Sequence, residues 1–206
     1  MIDLAILLPY VAACFLFSII PGPSVTVVVA NSLARGTKAG VVTLIGTEIA
    51  MLSMVVIIAL GMQAVMTVVS EGFTIIKLVG AAYLVWVGWK MFTSSGKIEV
   101  GQPGERLPLV RYLWQGALIN WSNPKTLLFL GAFLPQFVDM SRPAFGQIMV
   151  LGLIVMAVAT LTDMFYAVIA GQGRHMLSAA RVRLMSRVSG VILMIGGVWL
   201  ALVKRA

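Results

Sequence analysis

Two carboxylates, two lysines and two proline breaks stand in stretches that are otherwise almost wholly apolar: Glu48, Asp163, Lys77, Lys125, Pro21-Gly22-Pro23 and Asn123-Pro124. A charge at the centre of a bilayer costs several kcal/mol and is kept there for a reason. In hydrocarbon an unpaired carboxylate tends to hold a proton, whereas a nearby cation keeps it ionised. Glu48 and Asp163 are therefore candidate proton carriers. Each proline lacks an N–H and clashes with the carbonyl four residues back. Helical geometry up to the breaks frees the carbonyls of Phe17 and Ile19 ahead of Pro21 and Pro23, and that of Asn120 ahead of Pro124. Half-helices restarting near Ser24 and near Lys125 turn free N–H groups and the positive end of a dipole inward, an arrangement suited to a carboxylate.

The elements that must hold these groups follow from composition. Of 206 residues, 60% are hydrophobic and 11% charged, with a mean hydropathy of +1.02. A soluble domain is about half apolar and about a quarter charged, so a cytosolic or secreted globular enzyme is excluded. At roughly 20 residues per crossing, the chain holds six spans. They lie in 4–34, 39–70 (with Glu48), 72–89 (with Lys77), 112–138 (with Lys125), 143–173 (with Asp163) and 188–203, the last extended back to Leu184. With no basic leader or small-residue cleavage site before a polar mature chain, the first apolar segment is expected to be retained.

Arg35, Lys38, Lys90, Lys97, Arg106, Arg111, Arg174, Arg181, Arg183 and Arg187 fall in loops on one side, against Arg142, Lys204 and Arg205 on the other. The positive-inside rule then places both termini outside the cytoplasm. The formal net charge of +8 is thus an orientation signal, with anionic headgroups as a second possibility for the loop patch and no nucleic-acid partner. His175 reads as a solvated loop residue. Cys14 and His175, each alone of its kind, exclude an intrachain disulfide and a Cys/His zinc site. The Gly/Pro-rich linker at 94–110 divides a single transporter domain, 1–206, into repeats 1–93 and 111–206. Three spans per half means that the halves enter the membrane in opposite senses, the inverted-repeat arrangement of many secondary transporters.

Depth brings the unusual residues together. Pro23 is 12 residues from Arg35, Glu48 10 from Lys38, Pro124 13 from Arg111 and Asp163 11 from Arg174. At 1.5 Å per residue all four lie about 15–20 Å above the cytoplasmic anchors, near the middle of a core about 30 Å thick. Broken backbone at that depth must line a cavity or be buried in protein. Thr160, Asp163 and Tyr166 follow one another at three-residue intervals, and Thr47 and Met51 flank Glu48, so each acid sits in a partly polar stripe. Simpler accounts remain beside these. Pro21-Gly22-Pro23 can be a plain kink, Lys125 can pair statically with Glu48 or Asp163, and Lys77 can snorkel. Gly80, Leu84, Gly88, Gly196 and Gly197 make small faces for close helix packing. Trp121 is too deep for an interfacial belt and is placed to touch a ligand.

Pro21-Gly22-Pro23 followed by Ser32-Leu33-Ala34-Arg35-Gly36 and Gly40, then Lys77, Gly80, Ala82-Tyr83-Leu84, Gly88, Gly116, Asn120 and Asn123-Pro124-Lys125, resembles the lysine-exporter family of amino-acid efflux proteins. Phe133-Leu134-Pro135-Gln136-Phe137-Val138 and Ser189-Gly190 with Gly196 extend the likeness over the whole chain. Ser24 stands where that family usually has asparagine, and Glu48 lies outside its motif. The resemblance implies an all-α protein of the bacterial cytoplasmic membrane, with helices 1 and 4 broken at proline near the midplane. It further implies proton-driven export of amino acids or close derivatives, with no cofactor and a homodimer allowed. In that setting Pro21, Gly22, Pro23, Ser24, Asn120, Asn123, Pro124, Lys125, Asp163 and Tyr166 are the expected substrate site. The substrate carboxylate would meet the half-helix N-termini and Lys125, and its ammonium Asp163 and the freed carbonyls. Two rival chemistries are an exporter of metal ions or another small solute using Glu48 and Asp163, and an intramembrane hydrolase built on Ser24 and Lys125. No G-x-x-x-x-G-K-[ST] motif is present for ATP.

Overall fold

A computed structural model of the chain describes residues 4–93 and 108–172, together with isolated positions between 183 and 202. The linker 94–107, Arg174, His175, Arg181, Lys204, Arg205, most of the expected sixth span and the side chain of Lys77 lie outside the described residues. Every regular element among the described residues is a helix: α1 (Leu4–Ile19), α2 (Pro23–Arg35), α3 (Thr37–Thr93), α4 (Leu109–Trp121), α5 (Pro124–Leu128), and α6 (Ala144–Gln172). Between α5 and α6 the chain continues through a π turn, Phe129–Phe133, and a 3₁₀ turn, Leu134–Phe137.

Both anticipated breaks are present. The helical segments 7–19 and 23–35 meet at a bend of 49° across Pro21-Gly22 and together are apolar enough to cross a bilayer. α4 stops at Trp121 and α5 starts at Pro124, which takes the first helical turn where its missing N–H costs nothing. The segments 37–61 and 144–172 are each long and apolar enough to cross a bilayer. The boundary between the second and third expected spans, near Ser70 and Glu71, falls inside α3, which runs helical through it.

Two compact units divide the chain, one of residues 1–60 with 99–177, the other of 61–98 with 178–206. In the first, α6 packs on α1 and α2, and α2 packs on α4. Val28, Leu44 and Ala167 form the centre where α2, α3 and α6 meet, with Met164 against them. Glycine permits the tightest crossings: Gly46 lies on the backbone of Leu113 and Ala117, and Gly116 on that of Thr43 and Thr47. A methyl group at either would collide with main chain that cannot step aside, so α3 and α4 touch backbone to backbone. Between α2 and α3 the turn is made by Gly36 at φ 89°, a left-handed conformation open to glycine without a Cβ penalty. In the second unit, Gly88 and Gly190 make a comparable contact, matching the small face anticipated at Gly88.

This first unit exposes large apolar side chains and encloses a set of polar groups within a mainly apolar core. Leu8, Leu16, Leu60, Leu118, Leu161 and Phe165 are exposed, while Thr43, Thr47, Asn120, Asn123, Lys125, Thr126 and Asp163 are buried. Such a distribution suits lipid as solvent, since buried polar groups then find partners in protein rather than in acyl chains. The loop before α6 is polar: Asp139 accepts from the Ser141 hydroxyl at 2.6 Å and N–H at 2.9 Å and pairs with Arg142 at 3.2 Å. Those contacts, the Ser141 hydroxyl first, hold its carboxyl below the usual carboxylate range.

Candidate functional site

The site is built where the two helix breaks meet. Lys125, the second residue of α5, is buried, and its Nζ donates to the carbonyl of Ile20, freed at the first break. The same ammonium lies 4.3 Å from the centroid of the Phe17 ring, within the range of a cation–π contact. Its Cδ stands 3.1 Å, and its Nζ 3.9 Å, from where a Cβ on Gly22 would lie. Gly22 is the N-cap of α2 and brings no side chain to that helix's first N–H groups. A cation thus rests beside the positive end of α2, an unfavourable neighbourhood unless an anion joins them.

One turn of α6 supplies the other tie to this break. The Tyr166 hydroxyl donates to the Ile19 carbonyl at 2.8 Å, so the acceptor anticipated at Ile19 is real and engaged. Asp163, one turn earlier on the same helix, is buried, near enough for its charge and that of Lys125 to act on each other. Glu48 on α3 lies near Asp163, with the Thr160 hydroxyl beside it, and its Oε2 is buried without a hydrogen-bond partner. Among the described residues, no ion pair within 4.0 Å joins Lys125 to either acid; Arg142 with Asp139 makes the pair seen. The static lysine–acid pairing considered from sequence is therefore not what the chain forms.

At the second break the backbone partners are local, while the side-chain amides reach other helices. Asn123 Oδ1 accepts the N–H of Lys125 at 3.1 Å, capping α5. Its Nδ2 donates to Ser24 Oγ at 3.0 Å, joining this break to the start of α2. Asn120 donates to the Thr47 carbonyl at 2.8 Å and accepts from the Thr126 hydroxyl at 2.8 Å, so one amide ties α4, α5 and α3 together beside Glu48. Two sequence expectations change here. The Asn120 carbonyl already accepts the N–H of Asn123 at 3.0 Å, and α5 spans only five residues before the helix widens into a π turn. The second break therefore presents a lysine rather than an open helix end.

Pro21, Gly22, Pro23, Ser24, Asn120, Asn123, Pro124, Lys125, Asp163 and Tyr166 accordingly belong to one neighbourhood, with Glu48 on its α3 side. Ser24 is engaged by Asn123 and Lys125 by Ile20, so no serine–lysine dyad is formed. Trp121 is half exposed and bonds Ser53 at 3.2 Å. Sequence spacing named Thr47 beside Glu48 but not the Phe17 ring, the Ile20 carbonyl or Thr126. It also left out the aromatic run behind Phe17: Phe17 to Phe129 at 4.1 Å, Phe129 to Phe133 at 4.9 Å and Phe133 to Phe137 at 5.0 Å between centroids. The four-residue spacing of those three phenylalanines was a legible helical stripe. Nothing in the spacing of Phe17 pointed to Lys125. Among the described residues, no group of three His, Cys, Asp or Glu side chains could hold a metal ion.

A family model described as LysE type translocator matches residues 15–204. An uncharacterized membrane protein of Vibrio cholerae is 30% identical over 203 residues, covering 98% of this chain and 99% of its own. The homoserine/homoserine lactone efflux protein of Salmonella typhimurium is 24% identical over 198 residues, 96% of each chain. A leucine efflux protein of Enterobacter is 28% identical over 138 residues, 66% of this chain and 65% of its own. No solved structure matches.

Proposed function

The chain belongs to the LysE type translocator family, and on that premise we propose that it exports amino acids or close derivatives from the bacterial cytoplasm in exchange for protons. The observation that carries the proposal is the contact of buried Lys125 with the Ile20 carbonyl, which joins two interrupted helices beside two acids. A substrate carboxylate would bind Lys125 and the N–H groups at the start of α2. Its ammonium would take the freed carbonyls, with Asp163 as counter-charge. Glu48 and Asp163, on the α3 and α6 sides of the same cluster, would carry the proton that is exchanged for the cargo.

The proposal includes six spans in two inverted three-helix repeats, 1–93 and 111–206, with both termini outside the cytoplasm. Rocking of one repeat against the other would expose the site alternately. The inner membrane and a homodimer are part of the same reading, and the named substrates of the relatives support an amino-acid cargo. The test is counterflow of labelled L-leucine and L-homoserine in vesicles holding the purified protein, with and without a pH gradient. Exchange accelerated by the gradient in wild type and lost in a Glu48→Gln, Asp163→Asn double variant is the expected result. Gradient-driven transport that survives in the double variant removes these acids as proton carriers.

A further inference from the structure

The contact between Lys125 and the first break has the composition of an ammonium-binding site with its ligand already present. A carbonyl freed from helix bonding accepts a proton from Nζ, and an aromatic face lies 4.3 Å from the same atom. A carbonyl and a ring are what a desolvated primary ammonium requires, and neither depends on the cation belonging to the protein. The ring packs against Phe129, 4.1 Å between centroids, a contact that restrains it beside the cation. On the other side of Lys125 stands the uncapped start of α2, which favours an anion.

We infer that Lys125 is a tethered occupant of the substrate's ammonium subsite, formed by the Phe17 ring and the Ile20 carbonyl, and that the cargo enters by inserting its zwitterion between Lys125 and that subsite. This rests on the exchange of amino acids proposed above. The carboxylate draws Lys125 toward the start of α2, and the ammonium, carried on the adjacent carbon, replaces Lys125 on the carbonyl and the ring. One ammonium leaves as another arrives, so the subsite keeps a cation throughout and neither charge is left bare in lipid. The cargo class follows: compounds whose amine and anionic oxygen sit on one carbon or its immediate neighbour, with simple amines excluded by Lys125 itself. Phe17 is thereby a substrate-contacting residue.

The experiment measures binding to purified protein of L-leucine, its decarboxylated form isoamylamine and its deaminated form isocaproate. L-homoserine, propanolamine and hydroxybutyrate form a second set. Wild type binds the amino acid of at least one set better than the amine or the acid; binding of neither amino acid removes the amino-acid reading itself. In Lys125→Met the vacated subsite takes the amine about tenfold more tightly than in wild type, while the amino acid and the acid weaken. Phe17→Leu weakens the amino acid about tenfold and leaves the acid unchanged; added to Lys125→Met it weakens the amine about tenfold, and Phe17→Tyr, which keeps the ring face, restores both. An amine that binds Lys125→Met no more tightly than wild type, or a Phe17→Leu protein that loses the acid as much as the amino acid, overturns the insertion while leaving amino-acid exchange standing.

Discussion

The two proline breaks look alike in sequence and are held by opposite means. At the first, the freed acceptors at Ile19 and Ile20 are filled by Tyr166 and Lys125, 147 and 105 residues away along the chain, and the new helix starts at a glycine with no side-chain cap. At the second, the cap and the carbonyl partner both come from Asn123, and Asn120 binds the neighbouring Thr126 and the Thr47 backbone. A break whose backbone groups are satisfied by its own residues, and whose amides also tie it to Ser24 and Thr47, can stay rigid and carry a side chain to a fixed place. A break satisfied only by distant residues can exchange those partners for a ligand. The first is therefore the receptor and the second the arm that reaches into it.

The comparison can be broken most directly at Lys125. Lys125→Met should lower amino-acid counterflow at least about a hundredfold, the order expected when a buried, charge-bearing contact to the cargo is removed, while the protein still elutes as a folded species. A second break that merely shapes the fold would show the reverse, loss of folding with little loss of rate per folded molecule. Next in size is Asn120→Ala, which leaves the Thr47 carbonyl and the Thr126 hydroxyl without their partner. A cost of about 2–3 kcal/mol is expected, read as a fall in thermal midpoint in detergent. Isosteric Asn120→Asp should not rescue it, since the donor to Thr47 is lost.

Smaller effects sharpen the contrast. Asn123→Ala removes a cap and should cost about 1 kcal/mol, recovered in part by Asn123→Ser. Tyr166→Phe removes one hydrogen bond to Ile19 and should cost about 1 kcal/mol or less. Amide exchange should then accelerate at the start of α2 and stay unchanged at the start of α5; equal acceleration at both would dissolve the distinction drawn between them. Smallest for stability is Gly22→Ala. Its φ of −104° suits alanine, and the atom nearest the new methyl is the flexible Lys125 Cδ at 3.1 Å. Stability should change by less than about 0.5 kcal/mol, while transport falls severalfold because Lys125 is displaced.

Much of this site was legible without coordinates, because the cost of charges and broken backbone in lipid leaves few reasons for them. Glu48, Lys125, Asp163 and the prolines stood out on that ground, and counting residues to the nearest basic anchors placed them at one depth. The break between α1 and α2, the break after Trp121 and the apolar run of α6 all lie where the sequence puts them. The π and 3₁₀ turns after α5 were not legible, since Phe129 to Phe137 carries the same apolar spacing as an ordinary helix. Nor was the role of Asn123 as a self-contained cap, which uses a donor that a sequence reading leaves for the ligand.

By itself, then, the chain determined which stretches are apolar enough for lipid, where helices must fail and which charges must find partners inside, because these follow from transfer cost and from proline's missing N–H. Tertiary structure alone decided the pairings. Lys125 could have met either acid or any of several freed carbonyls. It meets Ile20 and Phe17 because α3 and α4 close backbone to backbone at Gly46 and Gly116 and α6 lies across α1 and α2. Contacts of that kind depend on how helix surfaces fit together, a property of shapes in space that no spacing along one chain records.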